Sequence, residues 1–184
     1  MRTRFYEVEL LFSEGTVNVL LSEDFADNCL SPDPHKHSHT KYELQYVISG
    51  TCELALEKTT VECPEGHFLI IPPSTEHKIR AKGDVKTKAL LFTLKGSADG
   101  AVIPSLCASA PILIPDTLHM SERLFRVGEL SLQREAIAKE YVRGELTLFF
   151  AELASLLSPS QKERQESYSE NRAEKISSYI YSGS

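Results

Sequence analysis

The chain has 184 residues, of which 41% are hydrophobic and 25% are charged, and its formal net charge is −6. This length fits one ordinary domain with some appended structure, or one domain with a fragment of a second. Because nucleic acid binding requires a basic face, the negative charge excludes DNA binding through the bulk field of these residues.

The N-terminus and the cysteines predict a cytoplasmic protein. The first residues lack the apolar segment of a signal peptide, and no apolar run is long enough to span a bilayer. No two cysteines form a C-x-x-C pair, and a chain of this size does not need disulfides. We therefore expect reduced thiols and no contact with a membrane. The cysteines are Cys29, Cys52, Cys63 and Cys107.

Short strands are predicted along the first part of the chain. Two of them, at 5–12 and 16–21, are separated by a turn at 13–15, and a long loop follows at 23–39. Alternating apolar segments between Gly and Pro breaks predict six more strands, at 41–48, 52–56, 59–63, 67–71, 77–81 and 86–94. Strands at this spacing favour an antiparallel sandwich or barrel.

After Pro115 the hydrophobic pattern changes to the period of a helix. Leu124, Val127 and Leu130 indicate a first helix, and an apolar stripe over 137–157 indicates a second. Residues 158–171 are polar and predict a linker. A helical pattern resumes at 172–181 but is too short to be stable alone, so we expect it to open a further domain.

The most informative motif is a pair of histidines followed by a glutamate. Alternate residues of an extended chain share one face, so His37, His39 and Glu43 point to the same side. A glycine, a proline turn and His77 follow on the next pair of strands. If the two strand pairs face each other, His77 joins the other three side chains around one point. Three imidazoles and a carboxylate are suitable ligands for Zn, Fe, Ni or Mn.

These groups resemble the two motifs of the cupin family. The first pattern, H-x-H-x3-E-x6-G, is met by His37, His39, Glu43 and Gly50, and the second, G-x5-P-x-G-x2-H-x3-N, by Gly66, Pro72 and His77. Ser74 stands where the family usually has Gly, and Ala81 where it usually has Asn. The resemblance covers residues 35–82. It implies a mostly β fold, a double-stranded β-helix or jelly-roll barrel, whose lumen binds a metal, a small molecule or both.

The order of the elements resembles a narrower class, the AraC-type transcription regulators. In this interpretation 1–115 is the barrel, 116–158 a pair of antiparallel helices, 159–171 the linker, and 172–184 the start of a helix-turn-helix domain. The resemblance implies a bacterial module for ligand sensing and dimerisation, with a small-molecule effector such as a sugar. DNA would be contacted only through the missing C-terminal domain.

Two uses of the barrel lumen remain open. An organic effector would contact His37, His39, Glu43, Gln45 and His77, because Gln45 shares their face of the strand. Alternatively, the three histidines and Glu43 hold a divalent metal, and the protein is a metal-dependent cupin enzyme, a dioxygenase or an isomerase. We expect no enzyme and no catalytic residue, because the sequence shows neither a nucleophile–base pairing nor a phosphate loop.

The apolar stripe of the second helix also has two interpretations. It covers the apolar outer face of the barrel, or it pairs with the same helix of a second copy in an isologous homodimer. In AraC-type regulators the corresponding helix supplies the dimer interface, and the resemblance therefore favours a homodimer. The predicted interface residues are Phe149, Leu153, Leu156 and Leu157.

Overall fold

The structure, a computed structural model, describes residues 5–22, 25, 28–30, 34–133 and 135–158. Within these residues an antiparallel sheet is followed by helices, which confirms the predicted fold class. The strands are β1 (Phe5–Phe12), β2 (Gly15–Ser22), β3 (Asn28–Cys29), β4 (Tyr42–Ala55), β5 (Thr60–Pro64), β6 (His67–Ile71), β7 (Lys78–Gly96) and β8 (Ile112–Pro115). The helices are α1 (Val102–Leu106), α2 (Ser121–Ser131) and α3 (Ala136–Leu157). The predicted linker at 159–171 and helix start at 172–184 lie outside the described residues.

Two long strands organise the sheet. Its order is β1-β2-β7-β4-β6-β8, with β3 added to β7 and β5 added to β4. Each long strand pairs with different neighbours along its length, β7 with β2, β3 and β4, and β4 with β5, β6 and β7. The sheet can therefore fold over itself and enclose an inner face, the lumen.

Two predicted turns are in fact bends within continuous strands. We expected separate strands at 41–48 and 52–56, but β4 runs through both, and β7 likewise joins 77–81 to 86–94. Shifts in the pairing of β4 with β7 flank Ser49, which marks a bulge at this point. A bulge bends a strand without ending it. The polar residues and glycine that accompany a bulge look the same in sequence as those of a turn.

Gly50 follows this bulge and has a backbone that favours glycine. Its φ is +81°, and a Cβ placed there would lie 2.6 Å from the carbonyl oxygen of Asp84. Only glycine adopts this conformation without strain and also leaves room for the neighbouring backbone. The close approach of β4 and β7 at the bend therefore depends on this residue.

The helices cover the outer face of the sheet. Leu44 and Tyr46 of β4 are buried in the same apolar cluster as the side chains of α3. The aromatic rings of Phe68 and Phe149 lie 5.6 Å apart, and those of Phe92 and Phe150 lie 5.0 Å apart, both edge to face. The apolar face of β4 is thus covered by the C-terminal helices, which is the first of the two interpretations of the helical stripe.

The inner face of the sheet holds a second apolar cluster, which we call the lumen cluster. It is separate from the cluster under the helices, as the alternation of side chains along a strand requires. Its buried members are Val47, Cys52, Leu54, Cys63, Leu69, Ile71, Ile79 and Val85. The sheet therefore has two interiors, one shared with the helices and one of its own.

Helices α2 and α3 are joined to each other by ion pairs. Arg123, near the start of α2, donates to Glu152 over 2.7 and 2.9 Å and to Glu145 over 3.0 Å. The start of one helix thus faces the later part of the other, as in an antiparallel pair. The carboxylate of Asp116 accepts hydrogen bonds from the backbone of Met120 and Ser121 and caps the start of α2. Among the described helices, none combines the length and the apolar character needed to cross a membrane.

The predicted dimer interface is wrong for two of its four residues. Phe149 and Leu153 have no exposed surface and pack beneath α3 against the sheet. A side chain buried within its own chain cannot contact a second copy, so these two residues cover the barrel. Leu156 and Leu157 are partly buried and pack against the same cluster. The surface of α3 that stays exposed carries other apolar side chains, namely Ile137, Tyr141 and Leu148.

Candidate metal centre

Backbone hydrogen bonds bring the two histidine segments together. His37 and His77 form an isolated antiparallel bridge, in which each amide donates to the other carbonyl over 2.9 Å. The amide of Ser74, in the turn before His77, donates to the carbonyl of His39 over 2.8 Å. The segment before β4 is thereby fastened to the segment before β7. The sequence predicts that His77 meets the other three side chains only if the two strand pairs face each other. The structure meets this condition.

The four predicted ligands form one cluster. Ligand atoms of His37, His39, Glu43 and His77 all lie within 4.8 Å of one another. Two donors on one metal, each at a distance of about 2.0 to 2.2 Å, are at most about 4.4 Å apart. A small inward movement of the more exposed side chains would therefore bring all four to bonding distance.

Each imidazole is oriented by its Nδ1 atom. In every ring this nitrogen is hydrogen-bonded to a backbone carbonyl, an arrangement typical of metal-binding histidines. Nδ1 then carries the proton, and the Nε2 lone pair is available as a ligand. The bonds are those of His37 to His35 over 3.2 Å, His39 to Lys41 over 2.6 Å and His77 to Thr75 over 2.8 Å.

Glu43 lies between two of the rings. Its Oε2 is 2.9 Å from Nε2 of His39 and 3.4 Å from Nε2 of His77. Burial raises the pKa of the Glu43 carboxyl, but the contacts with His77 and His39 outweigh burial, and the pKa lies below its ordinary value. The carboxyl is therefore ionised at neutral pH, which is the state that binds a cation.

His77 is the most deeply placed of the four. Its side chain has no exposed surface, and its Nε2 makes no hydrogen bond of good geometry although it lies within ion-pair distance of Glu43. Burial lowers the pKa of His77. The contact with the Glu43 carboxylate and the hydrogen bond to the Thr75 carbonyl raise the pKa by more than burial lowers it, so the net shift is upward. A buried ring nitrogen without a good partner is the atom that a metal ion would satisfy.

The residues present therefore fit a divalent metal. His77 is buried, His39 and Glu43 are partly exposed, and His37 is exposed, so the cluster is open to solvent on one side. Three nitrogens and one oxygen suit Zn, Ni, Fe or Mn. When bound, such an ion would act as a Lewis acid toward an oxygen-bearing ligand at its open positions.

Gln45 lies on the same face of β4 but does not belong to the cluster. It is buried further inside the lumen, and its Nε2 donates to the hydroxyl of Thr87 over 2.9 Å. Its Oε1 is buried without a partner among the described residues. The sequence pattern missed Thr87, because the bends in β7 hide the alternation that would place this residue in the lumen.

Comparisons with known proteins agree with this architecture. Residues 23–93 match the family described as Cupin domain, and this matched part includes all four residues of the cluster. That description covers enzymes and non-enzymes and names no narrower class.

One curated relative is the uncharacterized protein MJ1618 of Methanocaldococcus jannaschii, which is 38% identical over 56 residues. The aligned part makes up 30% of this chain and 44% of that protein, so the chain spans less than half of the relative's length.

Similar solved structures include protein NMB1881 of Neisseria meningitidis and a cupin-2 domain containing protein of Shewanella frigidimarina. The first has a TM-score of 0.34 at 12% identity and covers 50% of this chain and 89% of its own. The second has a TM-score of 0.32 at 16% identity, and the match covers 53% of this chain and 85% of the Shewanella chain. The Mn(II) enzyme oxalate decarboxylase of Bacillus subtilis has a TM-score of 0.34 at 13% identity and covers 54% and 32%.

Proposed function

We propose that this chain is a metal-dependent ligand-sensing module, the effector-binding and dimerisation half of a bacterial AraC-type transcription regulator. His37, His39, Glu43 and His77 hold one divalent ion, and a small organic effector with oxygen donors occupies its open positions. The module itself catalyses no reaction. It acts in the cytoplasm, and DNA is bound by a further domain.

The observation that carries the metal part is the common orientation of the three imidazoles. Each ring is fixed through Nδ1 by a backbone carbonyl, so that its Nε2 is free to face the Glu43 carboxylate. Ligand atoms of the three rings and of Glu43 all lie within 4.8 Å of one another. Ring orientation through a partner on the other nitrogen is the usual arrangement around a bound metal.

The placement of the helices supports the sensing part. Glu43 and Leu44 are neighbours in β4 that point to opposite faces, one into the metal cluster and the other into the cluster covered by α3. A shift of β4 on ligand binding would therefore move Leu44 and change its packing against α3. Such a shift is allosteric if the effector prefers one of the two positions.

The exposed side of α3 supports the homodimer. Ile137, Tyr141 and Leu148 are 59%, 61% and 51% exposed and follow one another at helical spacing. Gly144 lies between them, and a Cβ placed there would meet nothing within 4 Å, so a second helix can approach closely. Glu140 and Arg143 beside the stripe carry opposite charges, which a second antiparallel copy of the helix complements.

Metal analysis of the purified chain tests the first part of the proposal. We expect one equivalent of a divalent metal, and its loss in His77→Ala. His67→Ala is a matched control, because this ring is also bonded to a backbone carbonyl through Nδ1 but lies outside the cluster. Equal metal content in the two variants would contradict the assignment.

Sedimentation tests the dimer independently of the metal. The wild-type chain should sediment as a dimer, and Tyr141→Glu should shift it to a monomer by placing a charge in the apolar stripe. Lys139→Glu, also on exposed α3 surface, is the matched control and should remain a dimer. A monomeric wild-type chain at high concentration would contradict the dimerisation part.

A metal-dependent enzyme is the second candidate. The observation that favours it is the solvent-facing side of the cluster, where open metal positions would admit a substrate as readily as an effector. The metal-loaded chain should be assayed for dioxygen consumption and for isomerisation of sugars. Turnover that disappears in His77→Ala would establish the enzyme, whereas metal binding without turnover supports the sensor.

A further inference from the structure

Two cysteines face each other in the lumen cluster. Cys52 of β4 and Cys63 of β5 are direct partners in the antiparallel register of these strands. Both are fully buried, and neither takes part in a disulfide. Cys52 lies further along β4 than Glu43, and neither cysteine is a member of the metal cluster.

The position of the pair fits a disulfide without movement of the backbone. Directly opposed residues of antiparallel strands have Cα atoms about 4.5 to 5.5 Å apart. A disulfide accepts Cα separations of about 4.4 to 6.8 Å. Both side chains belong to the lumen cluster, so the two sulfur atoms lie on the same face of the β4–β5 pair.

The two thiols differ in their pKa values. Donation from Cys63 lowers the pKa of Cys52 below its ordinary value, although burial acts in the opposite direction. The same bond, together with burial, raises the pKa of Cys63. Cys52 is therefore the better nucleophile, and Cys63 keeps its proton next to it.

A small oxidant can reach the pair through the β4–β5 hairpin. Within the described part of the chain, β5 pairs with β4 only. In the turn that joins them, residues 57–59 are exposed. An edge strand with one partner opens locally at a lower free energy than the whole fold, and a molecule the size of a peroxide needs only a small opening.

We propose that Cys52 and Cys63 form a redox site that a hydroperoxide oxidises to an intrachain disulfide. The Cys52 sulfur attacks a peroxide oxygen, the O–O bond breaks, and with hydrogen peroxide the departing hydroxide takes up a proton to form water. Cys52 is then a sulfenic acid. The Cys63 sulfur attacks the Cys52 sulfur, the S–O bond breaks, and a second water leaves with the Cys63 proton. The two thiols lose two electrons, and the peroxide gains them.

The test uses the full chain with Cys29→Ser and Cys107→Ser, so that only the proposed pair remains. After hydrogen peroxide treatment, thiols are counted under denaturing conditions and the intact mass is measured. We expect both thiols to disappear together, the mass to fall by two hydrogen atoms, and one peptide to link Cys52 to Cys63. A thiol reductant should restore the starting mass. The oxidised chain should also melt several degrees higher, because the bridge restricts the unfolded chain.

Two further variants separate the proposal from other oxidation. Cys63→Ser in the same background should gain oxygen atoms at Cys52 instead of losing hydrogen. Glu43→Gln should form the disulfide as readily as its parent, because the reaction does not need the metal centre. Persistence of both thiols, a gain of oxygen without a crosslink in the two-cysteine chain, or a disulfide-linked dimer would overturn the proposal. None of these outcomes depends on whether a metal is bound.

Discussion

His37 and His77 are joined by two backbone hydrogen bonds of 2.9 Å, and their rings lie 4.5 Å apart. Two of the four candidate ligands are thus held by the main chain, not only by their side chains. The frame of the site should persist when a ligand side chain is removed. Substitutions at the centre are therefore expected to change metal affinity more than stability.

Replacement of Glu43 tests the charge of the site. Glu43→Gln keeps the shape of the side chain but removes the negative charge beside His39 and His77. Loss of a partner outside the coordination sphere already weakens metal binding about 10- to 100-fold, so loss of a ligand should cost at least about 100-fold. Titration calorimetry with Zn²⁺, Ni²⁺ or Mn²⁺ measures the change. Glu65→Gln, an exposed carboxylate near His67, should leave the affinity unchanged.

The backbone at the bend of β4 can be tested with two glycines. Gly50 and Gly83 both have a φ of +81°, but only at Gly50 would a new Cβ meet the backbone. Gly83→Ala should cost about 1 kcal/mol of unfolding free energy through φ alone, and Gly50→Ala should cost about 3 kcal/mol or more. Urea denaturation compares the two. Equal losses would show that the contact with Asp84 is unimportant.

Alanine substitutions at two adjacent residues of α3 should affect the unfolding free energy very differently. Phe149→Ala removes a fully buried ring and should lower the unfolding free energy by about 3 to 5 kcal/mol. Leu148→Ala removes an exposed side chain and should change the stability of the monomer by less than about 0.5 kcal/mol. If α3 is the dimer interface, Leu148→Ala instead raises the dissociation constant of the dimer. Denaturation and sedimentation of both variants separate these effects.

The pair between Arg123 and Glu152 predicts a dependence of stability on pH. Hydrogen bonding by Arg123 lowers the pKa of Glu152 below its ordinary value of 4.5, against the effect of burial. The pair should therefore stabilise the fold fully above a pH of about 4.5 and lose its contribution as the pH falls through the lowered pKa. At neutral pH, Glu152→Gln should cost about 1 kcal/mol, since both side chains are partly exposed.

Thermal unfolding of this variant and of wild type from pH 7 to pH 3 would show the effect. The difference in Tm should shrink toward the acid end. Glu140→Gln is the control, because its pair with Arg143 is more exposed and should contribute little at any pH. A Tm difference between wild type and Glu152→Gln that stays constant to pH 3 would contradict the attribution of the pH dependence to ionisation of Glu152.

The sequence was sufficient to predict the type of fold and the convergence of four side chains on one cluster. Alternation along a strand placed His37, His39 and Glu43 on one face, and the proline turn placed His77 opposite them. The orientation of the rings could not be predicted, because it depends on backbone carbonyls such as that of Thr75, which carry no sequence signal.

The bulge near Ser49 could not be predicted from the sequence either, because serine and glycine are typical of turns as well as of bulges. The assignment of Phe149 and Leu153 to a dimer interface failed for a different reason. Phe149 and Leu148 are adjacent apolar residues on a helix that is apolar on more than one side, and periodicity alone does not tell which side meets the sheet. The exposed apolar residues became visible only when the packing was known.

The 19 residues of β7 supply side chains to both apolar clusters. Ile79 and Val85 belong to the lumen cluster, whereas Leu90 and Phe92 lie under the helices. Because β7 contributes to both clusters, unfolding of one cluster should displace the strand and disrupt the other. The barrel and its helical cover should therefore melt in a single calorimetric transition. Cooperativity of this kind would let a small molecule bound at one end of the domain raise the melting temperature of the whole.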